Sequence, residues 1–248
     1  MRRLLILPDA AALAAAAAEE FVRAASAATG PFRVALSGGS TPKALYALLR
    51  DEAAPYRARV PWERLHVFWG DERCVPPDSP DSNYGEARAA LLSKTPIRPE
   101  NVHRIPAELA DADEAARRYE ATLLREFGGP PRFDWIFLGM GADGHTASLF
   151  PGTPAVQETV KLVVAVWVAE KKSRRVTLTV PVLNAAARVA FLVAGADKAE
   201  TARLALEGGS SASRPASLVS PERGESLWLL DRAAASRLAS LPREGGIR

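Results

Sequence analysis

The 248-residue chain reads as an α/β protein, a mostly parallel sheet covered by helices on both faces. Three observations carry that reading. Short apolar runs alternate with helix-forming segments along the whole chain. The run at 133–138, Phe-Asp-Trp-Ile-Phe-Leu, is apolar almost throughout, as a strand buried on both faces must be. Several runs also end in glycine-containing turns that open into helices, and open α/β sheets bind their ligands beyond such strand ends.

The elements follow in order. Residues 3–7 are a first strand, and Asp9 caps an alanine-rich helix to about Ala28, its carboxylate accepting from free first-turn amides. Residues 33–36 are a strand, after which Thr41 as N-cap and Pro42 at the first helical position open a helix through Leu49. Residues 65–69 are a strand, 74–82 a Pro/Ser/Asp loop and 83–92 a helix. A weak strand at 102–105 and an amphipathic helix at 111–127 precede the 133–138 strand. Strands at 162–168 and 176–179, a short helix at 183–187, a strand at 189–194 and a helix at 198–206 follow. Residues 207–215, rich in Gly and Ser, read as a mobile connection; 227–230 is a last strand, and Asp231 caps a terminal helix. No linker or repeat divides the chain, so 1–248 reads as one domain with 243–248 a frayed tail.

Composition narrows the function classes. With 48% hydrophobic and 25% charged residues the chain is of ordinary globular make-up. A single cysteine, Cys74, excludes an internal disulfide and a cysteine-based metal cluster, and favours a reducing, cytoplasmic setting. The net charge of +3 is spread among scattered arginines without a dense basic block, which argues against nucleic acid and suits a small anionic ligand. Pro8 and Asp9 interrupt the N-terminal apolar run far short of the roughly 7–15 residues of a secretory core. No stretch approaches the ~20 apolar residues of a membrane span, so no membrane partner is expected.

Four places could carry chemistry. Gly38, Gly39, Ser40 and Thr41 lie between a strand and a helix start, where free amides and the helix dipole favour an anion; an ordinary tight turn would use the same residues. The turn lacks the spacing of a nucleotide or dinucleotide loop and points to a monophosphate. Asp71-Glu72-Arg73 follows the next strand, either as a surface ion-pair cluster or with Arg73 clamping a phosphate or a carbonyl. His145 sits past the 133–138 strand as a candidate general base, and Asp143 either orients it or closes the glycine turn. Arg175 and Lys198 flank further strand ends and could supply phosphate ligands. His66 and His103 fall in strand-like runs and read as packing. Three scattered histidines without an i,i+4 pair give no metal site.

Taken together these segments resemble the glucosamine-6-phosphate isomerase/6-phosphogluconolactonase superfamily, on its 6-phosphogluconolactonase side. The anchors are Leu36 to Pro42, Trp69-Gly70-Asp71-Glu72-Arg73, Ser82-Asn83-Tyr84, Gly139 to Pro151, Arg175 to Thr179, and Gly195-Ala196-Asp197-Lys198. The resemblance implies a three-layer α/β/α fold like that of the glucosamine-6-phosphate deaminases. It implies hydrolysis of 6-phospho-D-glucono-1,5-lactone to 6-phosphogluconate in the oxidative pentose phosphate pathway, without a cofactor. By position, Gly38, Gly39, Ser40, Thr41, Arg175 and Lys198 would hold the phosphate. His145 would be the base, with Asp143, Asp71 and Arg73 around the reacting end.

The related deaminases share the glycine loop and the Asp-Gly-His core but place a glutamate five residues beyond the histidine. Phe150 stands there instead, and Asp-Glu-Arg replaces their Asp-Glu-Tyr; both departures point to the lactonase. The alternatives are a deaminase or isomerase of an amino sugar phosphate and, further off, a sugar-phosphate sensor. The expected partner is a small sugar phosphate, and the expected assembly a monomer or small homo-oligomer.

Overall fold

A computed structural model describes residues 1–239; the 243–248 tail lies outside the described residues. Six parallel strands form the main sheet, in the order β1 (Arg2–Leu7), β9 (Glu225–Asp231), β8 (Arg188–Val193), β5 (Trp135–Leu138), β2 (Phe32–Leu36) and β3 (Leu65–Trp69). All four residues of β5 are inaccessible to solvent, which requires cover on both faces of the sheet. That cover comes from helices in a three-layer α/β/α arrangement: α1 (Ala10–Ala27), α2 (Ser40–Arg50), α3 (Asn83–Ala90), α4 (Ala112–Phe127), α5 (Val180–Ala185) and α6 (Ala199–Glu207). Asp9 caps α1, accepting from the Ala12 amide at 2.8 Å, and Asp111 caps α4. Gly128 ends α4 in the left-handed conformation that a side chain would disfavour.

A second, smaller sheet departs from the all-in-one reading. Its antiparallel order is β4 (Asp71–Arg73), β7 (Ser173–Leu178) and β6 (Val163–Val168). β4 follows β3 after a single residue, Gly70, whose amide still reaches Leu36 O at 2.9 Å. The chain thus passes from one sheet to the other within the Trp69-Gly70-Asp71 step.

Other expectations are corrected. α2 starts at Ser40, with Gly39 as N-cap at φ 112°, so the glycine's left-handed backbone, not a Thr41 side chain, sets the helix start. Pro42 is the third helical residue, still within the turn whose amides need no partner. Residues 102–105 form no strand, only a bridge from Val102 to Val67. The short helix falls earlier, at Val180–Ala185. The Gly/Ser connection is held, not loose: Ser211 and Arg214 bridge, and the Ser217 hydroxyl donates to Arg214 O at 2.7 Å. After β9 the described residues form turns at 232–237 where a helix capped by Asp231 was expected. The Asp231 carboxylate accepts from Ala234 N at 2.7 Å and also from Gly195 N at 3.1 Å, drawing it away from a simple cap.

Trp69, Trp135 and Trp228 are fully buried in the core, while Trp167 is 55% exposed. Among the described residues no helix is long and apolar enough to cross a membrane.

Candidate active site

Two buried tyrosines shape the ends of β2 and β3. The Tyr46 hydroxyl donates to Ser37 O at 2.7 Å and accepts from Ser37 N at 3.2 Å. The Tyr119 hydroxyl does the same for Trp69, with both distances 2.9 Å. Each phenol takes over both backbone groups of the residue where its strand stops, so the chain can leave the sheet without orphaned polar atoms. Burial raises both phenols above their ordinary range, and both remain neutral donors.

The turns released there line a cavity of about 290 Å³ beyond the carboxyl ends of β2, β5 and β8. Nine of the ten expected site residues line it: Gly38, Gly39, Ser40, Thr41, Asp71, Arg73, His145, Arg175 and Lys198. Asp143 does not; it reaches the cavity through His145.

On one side lies the N-terminus of α2. No side chain caps this helix, so its first amides are left for a ligand. The Gly39 amide is the exception, since it donates to Glu86 Oε2 at 3.1 Å. Gly38 must lack a side chain because Asn83 lies against it; a Cβ there would sit 2.0 Å from Asn83 Oδ1. Asn83 Oδ1 and Ser37 Oγ are buried without a protein partner, and both residues line the cavity.

Asp71-Glu72-Arg73 is not a surface ion-pair cluster. Asp71 and Glu72 are buried, and Arg73 makes no salt bridge with either among the described residues. The Glu72 carboxylate accepts from the amides of Arg73, Asn83 and Tyr84, each at 2.8 Å, and from Ser82 Oγ at 3.1 Å. It thereby bolts the start of α3 onto β4. Burial pushes its carboxyl up, against the pull of those amides. Asp71 accepts from Ser148 Oγ at 2.6 Å and from Asn83 Nδ2 at 3.2 Å.

Arg73 stands directly opposite Arg175 across the β4–β7 ladder. Like charges in that position repel, which an anionic ligand between them would relieve. Burial lowers the Arg175 guanidinium below its ordinary value, opposed by Asp71 and assisted by Arg73. The Nε atoms of both arginines are buried without a protein partner. Lys198 adds a third cation to the lining, its Nζ 2.7 Å from Asp197.

The histidine loop forms another part of the cavity wall. His145 Nδ1 lies 2.5 Å from Asp143 Oδ1, and the same oxygen accepts from the His145 amide at 3.1 Å. A carboxylate only accepts, so the ring proton belongs on Nδ1 and the Nε2 lone pair is free. Burial works against the Asp143 carboxylate, but the amide and ring of His145 outweigh it and hold the group below the usual range. Asp143 thus both orients the histidine and closes the turn. Gly141 makes room for the pair: a Cβ there would fall 2.1 Å from His145 Nδ1. The imidazole stacks on Phe150, and the Arg175 guanidinium lies over that ring at 5.6 Å. Ala147, at φ 48°, adopts a left-handed backbone in the cavity wall, a strained conformation for a residue with a Cβ.

Sequence reasoning passed over Asn83, Phe150 as a contact, and the small residues Gly141 and Ala147. The only signal for Asn83 was its place in Ser82-Asn83-Tyr84. No group of three metal-ligating side chains gathers in the cavity among the described residues. The one cluster with such spacing, His66, His103 and Glu126, lies outside it.

The chain is similar to known proteins both in sequence and in structure. A 6-phosphogluconolactonase of Nostoc sp. is 41% identical over 243 residues, covering 94% of this chain and 97% of that protein. One of Mycobacterium tuberculosis is 41% identical over 246 residues, covering 95% and 98%. The solved 6-phosphogluconolactonase of Trypanosoma cruzi superposes with a TM-score of 0.84 at 30% identity, covering 97% of this chain and 98% of that one. The family model for glucosamine-6-phosphate isomerases/6-phosphogluconolactonase matches residues 8–228, a span that runs from the end of β1 into β9 and takes in every residue of the cavity. With a family model matched over most of its length and relatives of this identity and coverage, the chain belongs to the glucosamine-6-phosphate isomerase/6-phosphogluconolactonase family.

Proposed function

We propose that the protein hydrolyses 6-phospho-D-glucono-1,5-lactone to 6-phospho-D-gluconate, a step of the oxidative pentose phosphate pathway carried out in the cytoplasm, with His145 as general base. The observation that carries the proposal is the joint lining of one cavity. A histidine with its Nδ1 proton committed to Asp143 shares it with an uncapped helix N-terminus and the facing guanidinium groups of Arg73 and Arg175.

The substrate's phosphate binds among the first amides of α2, Arg175 and Lys198. This anchoring fixes C1 of the lactone near His145, so binding energy remote from the reacting bond supplies orientation. His145 Nε2 takes a proton from water as its oxygen attacks C1, forming a tetrahedral oxyanion. Arg73 is the cation nearest in role to an oxyanion donor. The C1–ring oxygen bond then breaks, and protonated Nε2 returns its proton to the leaving oxygen. Asp143 keeps its charge throughout and steadies the imidazolium. Asp71 holds Ser148 and Asn83 and so shapes the cavity wall.

The amino-sugar reading loses support from Phe150, which fills with an aromatic ring the place where the deaminases carry a glutamate. The test is His145→Ala assayed on freshly generated lactone, with spontaneous hydrolysis subtracted. A loss of ~10²–10⁴-fold in kcat/KM is expected for removal of a general base. Near-normal kcat/KM, or ammonia release from glucosamine 6-phosphate by the wild type, overturns the proposal.

A further inference from the structure

Away from the cavity, the fold gathers the other two histidines of the chain. His66 lies on β3, and His103 sits in the connection between α3 and α4 that carries no strand of its own. The two are 37 residues apart, yet His66 Nδ1 and His103 Nε2 approach to 3.3 Å. The His103 amide donates to Val67 O at 2.8 Å, which brings the two side chains alongside each other. Glu126, in the last turn of α4, places Oε2 3.8 Å from His103 Nε2, and all three ligand atoms lie within 4.8 Å of one another.

We propose that His66, His103 and Glu126 form a structural site for a divalent transition-metal ion of the zinc type, with water completing a tetrahedron.

The nitrogen spacing matches the ion, and the two rings, whose planes lie 8° apart, turn toward it as it replaces the hydrogen bond between them. Zinc–nitrogen bonds of about 2.0–2.1 Å at tetrahedral angles separate two nitrogens by about 3.3 Å, the spacing found between the histidines. The glutamate oxygen lies farther out, 3.8 Å from His103 Nε2 and within 4.8 Å of His66 Nδ1, so Glu126 must turn inward for the tetrahedron to close. Two imidazoles and one carboxylate are a donor set that zinc accepts readily. The His103 ring is held in place by stacking on Phe68 with centroids 4.5 Å apart, and its side chain is only 8% exposed. His66 and Glu126 are half-buried and leave an approach from solvent.

The position of Glu126 also favours a cation. A carboxylate in the last turn of a helix faces the negative end of the helix dipole, an unfavourable placement that a metal ion would reverse. Arg125 Nε, 2.9 Å from Glu126 Oε1, leaves Oε2 to His103. Arg33 is the opposing influence: it donates to Glu126 O at 3.2 Å, and its charge will weaken binding. The role is structural because His66 lies about 13 Å along β3 from Gly70, where the chain turns to the active site. The ion would staple the 95–111 connection to β3 and α4.

The experiment is a zinc titration of the EDTA-treated full-length protein by calorimetry, repeated with cobalt to read the visible bands of a tetrahedral site. One equivalent is expected to bind and raise Tm, with kcat on the lactone unchanged. His66→Gln and Glu126→Gln should each weaken binding at least ~10-fold, as losing a ligand costs no less than disturbing its supporting shell. His145→Ala should bind as the wild type does. Absence of saturable binding near one equivalent, full binding in both the His66→Gln and Glu126→Gln proteins, or loss of binding in His145→Ala overturns the proposal.

Discussion

The imidazole of His145 lies flat on the ring of Phe150, with centroids 4.0 Å apart and planes 18° from parallel. Phe150 is itself buried, and its ring also carries the Arg175 guanidinium at 5.6 Å. One aromatic side chain therefore touches both the proposed base and a proposed phosphate ligand. Phe150→Leu stays apolar but removes the flat face and some of the buried volume, so kcat should fall and KM rise together, each by several-fold. Steady-state kinetics on the lactone separate the two effects; an unchanged KM would show that Arg175 is placed without the ring.

Gly141→Ala should act on catalysis, not on folding. The added methyl falls on His145 Nδ1 and within 2.4 Å of Asp143 Oδ1, so the pair must separate. The expected result is a loss of ~10²-fold in kcat, comparable to part of the general-base contribution, with Tm little altered. Asp143→Ala provides the comparison, since both changes release the same imidazole.

The Asp143 carboxyl is held below its ordinary value by the amide and ring of His145, against the effect of burial. A depressed folded value means that the pairing stabilises the fold above the unfolded value of about 3.9 and is lost as pH falls through the folded one. The difference in urea midpoint between wild type and Asp143→Asn should thus stay constant from pH 7 down to about pH 4 and shrink below it. A difference that already shrinks at pH 6 would contradict the assignment.

Tyr46→Phe leaves both backbone groups of Ser37 unpaired at the root of the glycine loop. Two lost hydrogen bonds at a buried site predict a stability loss of about 1–3 kcal/mol, readable by chemical denaturation. Because Ser37 leads directly into Gly38 and Gly39, KM for the phosphorylated substrate should rise more than kcat falls.

The strand ends were legible because glycine, an N-terminal cap or a proline marks each exit from an apolar run, as at Ser37 to Pro42 and Gly139 to His145. The second sheet was not. β4 is three residues long and consists of Asp-Glu-Arg, with none of the apolar alternation that announces a strand. It exists because Gly70 lets the chain leave β3 and because Glu72 ties it to α3. Asn83 hid for a different reason: its role lies in a contact with Gly38, which its residue type does not declare locally. Phe150 was readable only as a carboxylate that is missing; its contact with His145 needed the turn through Ala147 in its left-handed conformation. The approach of His66 to His103 likewise depends on one bridge, Val67 to Val102, where the sequence suggested a whole strand.

The Arg73–Arg175 register has a consequence for the protein at rest. Two facing guanidinium groups make the ligand-free fold bear a repulsion that any suitable dianion discharges, so the substrate's phosphate doubles as a counter-ion of the fold. Stability then becomes a property of the solution as much as of the chain: melting temperature should climb with inorganic phosphate or 6-phosphogluconate by mass action and fall back in buffers free of such anions. A cell's pool of sugar phosphates would, on this view, act as a chaperone of small molecular weight for the enzyme that consumes one of them.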